Sequence, residues 1–410
     1  MIAFLQTAKA ENEARKLLTM MRETGSYSVP ASKEYPIADL RDSQMFGVLI
    51  AKMKDGNERT LFGYSGSIKG SYEVPGFVPP CFSFDEFKRI VAINDKEIHD
   101  LTDRINAGEK GLEKKRAELS NETLKRLQDI FVLSKWDGTR IHGLPSGCPT
   151  GTGECAGLKL INYSLRRGWE IVGLAEFQMD GTFNPPCEER CGILLERMLG
   201  LRFLYADEHI AVINKPAGLL SVPGRGIEKL DSASHRFHTL FPSSPKECYV
   251  HRLDMDTSGL LVMAFTKEAH KKLSLAFEKR EVQKTYVALL EGVIKENGGV
   301  IDLPMRLDVD NRPYQIVDFE QGKRALTRWE KLHVTWIGDD KYTRVRFYPE
   351  TGRTHQLRVH AASGLKHPIK GDRLYGNRKE GERLCLHAEA IAFKHPITGE
   401  EMSFTYPAEF

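Results

Sequence analysis

Residues 251–262 read His-Arg-Leu-Asp-Met-Asp-Thr-Ser-Gly-Leu-Leu-Val. Arg252 and Asp254 stand two apart, ahead of Thr257-Ser258-Gly259 and an apolar run from Leu260 to Phe265. Small residues followed by a continuous apolar run predict a tight turn feeding a buried strand. Asp254 would then sit on a loop held by a rigid element, a common position for chemistry. A carboxylate needs no partner base to act as a nucleophile, because it is ionised at neutral pH unless desolvation intervenes. On spacing alone, a solvated Arg–Asp pair on the surface explains the same residues.

Working outward, the chain from 199 to 410 alternates short apolar strands with turns and has few long helical patterns. This predicts an α+β domain on a mixed, largely antiparallel sheet. The preceding residues divide by composition. Segment 1–82 opens with a helical pattern, then predicts strands at Met45–Ala51 and Thr60–Tyr64 around an Asp55-Gly56-Asn57 hairpin turn. Segment 83–135 is charged and free of proline after Ser83, with Ile98, Leu101, Ile105 and Leu112 at helical spacing and Gly108 and Gly111 interrupting. A helical hairpin or broken coil follows, read as helix–helix scaffolding in preference to RNA binding because acidic residues interleave with the basic ones. Segment 136–198 carries glycine and proline clusters, a predicted helix at Leu158–Arg166 and a predicted strand at Ile171–Phe177. Together these form an amino-terminal α/β accessory region with a helical segment.

Four ordered segments carry a family resemblance. His251 to Val262 resembles the signature of the RluA family of RNA pseudouridine synthases. Asn214-Lys215-Pro216-Ala217-Gly218-Leu219-Leu220 resembles that family's first motif, and Lys284-Thr285-Tyr286-Val287-Ala288-Leu289 the segment with its active-site tyrosine. Thr351 to His360, followed by His367-Pro368-Ile369-Lys370-Gly371-Asp372, resembles its third motif. The resemblance runs from about residue 200 to the end. Ile301–Pro313 and the tail from Leu386 to Phe410 look most like the branch that modifies large-subunit (23S) rRNA and tRNA anticodon arms. Residues 1–198 do not resemble the S4 RNA-binding domain that often precedes this catalytic domain.

The resemblance implies the pseudouridine synthase fold, an isomerase activity on rRNA or tRNA, and an essential catalytic Asp254. Pseudouridine formation breaks the bond from ribose to uracil N1, turns the base and rejoins it through C5. The product is an isomer, so no redox partner, energy source, cofactor or metal is expected. A cation about 4 Å from a buried carboxylate, at an effective dielectric near 20, contributes on the order of 4 kcal/mol toward keeping it charged. Arg358 is the candidate, on a short helix predicted to follow the Thr351-Gly352-Arg353 turn and to end near Gly364. Arg353 is the second choice, with turn-anchoring as its alternative. Tyr286 reads from sequence as a buried strand tyrosine; the resemblance makes it the residue that stacks on the target uracil and handles a proton. It further implies substrate contacts for Arg252, His251, Arg353, His355 and Gln356, with Arg252 filling the gap left by a flipped base, a plain phosphate contact being its alternative. Lys215, Arg225, Lys267, Lys271, Lys272, Lys279, Arg280 and Lys284 supply local positive charge for RNA, or a solvated surface.

Composition sets the outer limits. With 59 basic and 56 acidic residues the formal net charge is +3, so any basic face must be local. Seven cysteines, an odd number, with no charged-then-apolar leader, predict a reducing, cytoplasmic compartment. No apolar stretch approaches the roughly 20 residues of a membrane helix, and a monomer is expected. Cys148, Cys155, Cys187 and Cys191 could ligate zinc, but their spacings are not those of a standard ribbon or finger; thiols packed in a core are the simpler reading. The Cys155-Ala156 pair with Pro186-Cys187 is faintly similar to nucleotide deaminases. No Glu follows Cys155 where the general acid/base belongs, and three residues rather than two separate Cys187 from Cys191. Two alternative readings stay open: a non-catalytic RNA-binding or remodelling protein, and a bifunctional enzyme with separate nucleotide chemistry in the amino-terminal half.

Overall fold

A computed structural model describes residues 7–29, 31–184, 192–377, 379 and 381–410. The chain divides into two compact units, one taking the described residues up to Glu208 with Thr239–Phe241, the other His209–His238 with Pro242–Phe410.

In the first unit, helix α1 (Ala8–Thr24) starts where Thr7 accepts the Ala10 N–H at 3.2 Å and ends at Gly25, whose φ of +65° suits a left-handed cap. Strands β1 (Met45–Lys52) and β2 (Glu58–Tyr64) form the expected hairpin, with Gly56 at φ +87°. Helices α2 (Phe84–Asn106) and α3 (Glu113–Asp129) form the expected helical hairpin, tied by Asn94 to Thr123 at 3.1 Å and Lys115 to Glu97 at 2.6 Å. Gly108 and Gly111 turn the chain between them at φ +93° and +85°. After the short strands β3 (Val132–Ser134) and β4 (Arg140–His142) come α4 (Ala156–Arg167), β5 (Glu170–Gln178), β6 (Phe183–Asn184), α5 (Ile193–Leu199) and β7 (Arg202–Ala206).

The sheet order is β2-β1-β5-β6, so strands from the first and third sequence segments share one sheet. Apolar residues of α1 pack with Phe46, Val48, Ile50, Ala175 and Phe177. On the other face Gly47 and Gly63 lie in register, and a Cβ on either would sit about 3 Å from Leu160 of α4. The paired glycines thus make the groove that seats this helix. The first turn of α4 is held by buried Glu176, whose Oε1 accepts the Gly157 N–H at 2.7 Å.

The second unit contains β8 (Ile210–Lys215), α6 (Ala233–Leu240), β9 (Ser258–Ala264), α7 (Lys267–Glu278), β10 (Gln283–Glu291), β11 (Gly298–Asp302), β12 (Met305–Leu307), β13 (Gln315–Val317), β14 (Leu326–Ile337), β15 (Asp340–Pro349), α8 (Gln356–Val359), β16 (Leu386–Lys394) and β17 (Glu401–Thr405). Its strands run in the order β11-β14-β15-β10-β16-β9-β8, with β17 on β16. Pairing is antiparallel except between β9 and β16, which run parallel. This is the mixed, largely antiparallel sheet expected from the sequence. The expected turn at Thr257-Ser258-Gly259 is corrected: Ser258 and Gly259 already belong to β9, where Gly259 opposes Ala388. Its φ is +115°, and a Cβ there would lie 2.4 Å from the Ala388 carbonyl oxygen, so the close parallel pairing requires glycine. Every residue of β9 is buried. Among the described residues no helix is long and apolar enough to cross a membrane.

Candidate active site

The loop carrying Asp254 is pinned from beneath. Lys215, at the end of β8, is 0 % exposed, and its Nζ donates to the carbonyls of Pro216 at 2.8 Å, Leu219 at 2.7 Å and Met255 at 3.0 Å. Burial pushes its ammonium down to about 7, against the pull of Asp254 and Asp256. Ser221 accepts the Leu253 N–H at 2.9 Å and donates to the Leu253 carbonyl at 2.7 Å. The Thr257 N–H closes the turn on the Asp254 carbonyl at 3.1 Å. Two motifs that are distant in sequence therefore form one rigid platform. From it the Asp254 side chain projects with 27 % of its surface exposed.

Arg358 meets it from the third motif. The expected short helix is present as α8, continued by a π-helical turn at His360–Gly364. Arg358 is 3 % exposed, and its Nη1 lies 3.9 Å from Asp254 Oδ2. Its other donors are taken by Asp372, which is 0 % exposed: Nε to Oδ2 at 2.8 Å and Nη2 to Oδ1 at 2.5 Å. His355, at φ +54°, places its Nδ1 2.8 Å from the hydroxyl of Tyr375. The ring of Tyr375 covers the Arg358 guanidinium at 5.3 Å.

Tyr286 comes from β10, where a bulge between Thr285 and Tyr286 re-aims the strand opposite β16. Burial, reinforced by the negative charge of Asp254, raises its phenol above the ordinary tyrosine value, so the hydroxyl stays protonated at neutral pH. Beside it Lys284 is half-buried and lowered by desolvation, then by the charge of Arg280. One cleft is lined by Asp254, Tyr286 and Arg358 together with Arg252, Arg353 and His355. It continues past Arg280 and Phe277. Arg252 and Arg353 are exposed at this opening.

Two of the expected substrate contacts line the cleft with ring or amide atoms engaged within the protein. His251 accepts the Val262 N–H on Nε2 at 3.0 Å and stacks on Phe277 with ring centroids 4.4 Å apart. Burial and the nearby Lys284 charge push it down to about 3, which keeps the ring neutral. Gln356 is buried and uses both amide atoms internally. Its Oε1 accepts from Thr351 at 2.8 Å and from the Arg353 N–H at 2.9 Å; its Nε2 donates to the Leu326 carbonyl at 3.0 Å and to Thr327 at 2.9 Å. Lys215 is likewise removed from any RNA-facing surface by its burial. Lys272 is paired with Glu268 at 2.8 Å.

Sequence reasoning gave no role to Asp372 or Tyr375. The signal for Asp372 was its place at the end of the third-motif segment His367 to Asp372. Of the four cysteines considered as metal ligands, Cys187 and Cys191 lie outside the described residues. Cys148 and Cys155 are half-buried, and no metal-holding cluster occurs among the described residues.

An anionic carboxylate, a buried guanidinium and an aromatic ring thus share a cleft with a cationic rim. That arrangement suits acid/base or nucleophilic chemistry on a planar group attached to a polyanion. Residues 209–363 match the RNA pseudouridylate synthase family. The dual-specificity RNA pseudouridine synthase RluA of Yersinia pestis is 46% identical over 210 residues, covering 50% of this chain and 98% of that protein. The RluA of Escherichia coli K12 is 45% identical over 231 residues, covering 56% of this chain and 98% of that protein. Among solved structures, human RNA pseudouridylate synthase domain containing 1 aligns with 30% identity and a TM-score of 0.44, covering 51% of this chain and 84% of that one. Nearly the full length of the bacterial enzymes is matched within this chain, which therefore belongs to the RluA family of RNA pseudouridine synthases.

Proposed function

We propose that this protein isomerises specific uridines to pseudouridine in structured RNA, both in 23S rRNA and in the tRNA anticodon arm, with Asp254, Tyr286 and Arg358 as its catalytic residues. The observation that carries this reading is the Asp254 carboxylate 3.9 Å from a buried Arg358, in a cleft that also holds Tyr286. The named relatives are dual-specificity enzymes, which is the reason for assigning two RNA classes.

The target base leaves its stack at a cost of a few kcal/mol and enters the cleft. Arg252 takes its place in the helix and Arg353 holds a flanking phosphate. Asp254 initiates cleavage of the C1′–N1 bond, either by attacking C1′ or by taking the C2′ proton. The detached uracil turns and C5 bonds to C1′; on the first route this breaks the Asp254–C1′ ester, and on the second it adds across the C1′–C2′ double bond while Asp254 returns the proton to C2′. Tyr286 gives a proton to N1 and takes the one lost from C5, so both side chains end as they began. Tyr286, whose phenol is held protonated, serves as stacking surface and proton donor, while His355 lines the wall beside it. His251 and Gln356 act through the framework they hold. The enzyme works in the cytoplasm as a monomer, with residues 1–198 as an accessory or substrate-positioning module.

The test is to incubate the full-length protein with 23S rRNA and with tRNA lacking pseudouridine and to map the product. Pseudouridine at discrete sites in both, lost in a folded Asp254→Asn variant, supports the reading; product from that variant at the wild-type rate refutes it. A rate change on placing deuterium at C2′ separates proton abstraction from attack at C1′.

A further inference from the structure

Arg358 directs most of its hydrogen-bonding capacity away from the reacting carboxylate. Nε and Nη2 form a two-pronged grip with both oxygens of Asp372, leaving Nη1 to face Asp254. Asp372 is itself fixed. Its Oδ1 also accepts the N–H of Leu374 at 2.9 Å and of Tyr375 at 3.1 Å, which makes the turn that follows. That turn delivers the Tyr375 ring over the guanidinium face, and its hydroxyl accepts the Gln315 N–H from β13 at 2.8 Å. The guanidinium is thus held in its plane by a buried carboxylate and across its plane by an aromatic ring. Three anchors keep the ring in place: the Asp372 turn, β13 and the His355 ring at its hydroxyl.

We propose that Asp372 is a positioning residue for the isomerisation: its grip fixes the rotation of the Arg358 guanidinium so that Nη1 points at Asp254, and Tyr375 caps the guanidinium against tilting. This rests on the proposed activity. An arginine side chain carries about 2 kcal/mol of rotamer entropy, and here that freedom is removed before RNA arrives. Asp372 serves charge as well as shape. Two carboxylates share one cation, so Arg358 holds Asp254 in place without neutralising it fully. The other cation buried close by, Lys215, is committed to three carbonyls. Asp256, the remaining acid of the loop, is engaged by Arg373 at 2.9 Å.

The test is a double-mutant cycle in the full-length protein, reading single-turnover pseudouridine formation, RNA affinity and melting temperature together. Asp372→Asn keeps an oxygen for the Leu374 and Tyr375 N–H groups but breaks the two-pronged grip. It should slow the single-turnover rate about 100-fold, the cost of a misplacement of about 1 Å, with RNA affinity within about threefold of wild type. Combined with Arg358→Met it should add less than about twofold, because the two residues act through one interaction. Multiplying losses, a loss confined to affinity, or an unchanged rate in folded Asp372→Asn overturns the proposal. Should Asp372→Asn not fold, Tyr375→Leu removes the cap while leaving the grip. A rate loss non-additive with Arg358→Met then supports the proposal, and an additive or absent loss overturns it. A wild-type protein that makes no pseudouridine in either RNA would instead refute the proposed function.

Discussion

The Asp254 carboxylate and the Arg358 guanidinium approach to 3.9 Å with unequal exposure, 27 % against 3 %. Both line the cleft, but the cation is almost sealed from solvent, so bulk ions screen the pair poorly. At this distance and an effective dielectric near 20 the attraction is on the order of 4 kcal/mol. Arg358→Met should therefore lower single-turnover pseudouridine formation by about 100-fold or more at saturating RNA. Arg358→Lys should recover only part of this, because an ammonium cannot form the two-pronged bond to Asp372. The wild-type rate at saturating RNA should change little between low and moderate salt. Equal activity of the lysine variant and wild type would show that charge alone suffices.

Tyr286 offers two separable contributions, a ring and a hydroxyl. Tyr286→Phe keeps the ring and should leave RNA affinity within about twofold while slowing turnover by about 100-fold, the scale of a lost proton donor. Tyr286→Ala should lose affinity as well, since base–aromatic stacking is worth about 1–3 kcal/mol. If Tyr286→Phe turned over normally, the proton role would be gone and only stacking would remain.

Two histidines held neutral, His251 half-buried and His360 buried, tie stability to acid. His251 is pushed down to about 3 and His360 to about 4, both chiefly by burial. An unfolded histidine takes up its proton near 6.5. Between roughly pH 6.5 and 4 the unfolded chain thus binds protons that the folded chain refuses, and stability falls as pH falls through that window. Two such groups give a slope of up to about 2.7 kcal/mol per pH unit. Urea unfolding at pH 7, 6 and 5 should show this loss, and His360→Gln should reduce the slope by about one proton. An unchanged slope in that variant would mean His360 titrates normally.

Gly259 is where the fold and the site depend on each other. β9 follows the Asp254 loop directly, and its parallel partner β16 also flanks Tyr286. Gly259→Ala would set a methyl 2.4 Å from the Ala388 oxygen at a φ of +115°. The expected cost exceeds about 2 kcal/mol of stability, with activity falling even in the folded fraction as the two strands part. Thermal unfolding of this variant at the wild-type temperature would show that β16 can yield.

The fold was legible where local pattern and burial agree. Leu260 to Ala264 forms a strand because a continuous apolar run has nowhere to go but a sheet buried on both faces. The Asp55-Gly56-Asn57 turn, the helices around Gly108 and Gly111 and the helix bearing Arg358 follow from equally local rules. That Asp254, Tyr286 and Arg358 share one cleft was legible only through motif resemblance, since nothing in their spacing brings together residues about 30 and 100 positions apart. Gln356 and His251 carry internal bonds that the sequence does not reveal, for a related reason. Polar residues inside a functional motif read as contacts for a ligand, whereas these two satisfy backbone groups that tertiary packing has buried. Asp372 was read within the third motif but given no role, because its partner is an arginine 14 positions earlier, across the π-helical turn and the loop that follows.

Lys215 and Arg252 make the last contrast, between two cations that sequence alone treats alike. Lys215 is fully buried, with its ammonium saturated by three carbonyls, while Arg252 is exposed at the mouth of the cleft. Only a cation that displaces counterions from RNA contributes to the salt dependence of binding. Arg252→Ala should therefore reduce the slope of log affinity against log salt by about 1. Lys215→Met should leave that slope unchanged, yet cost about 3 kcal/mol of stability by stranding the Pro216, Leu219 and Met255 carbonyls. Salt titrations of RNA binding and urea unfolding on the same two variants separate the roles. A reduced slope in Lys215→Met would place its ammonium against phosphate and require the loop beneath Asp254 to open when RNA binds.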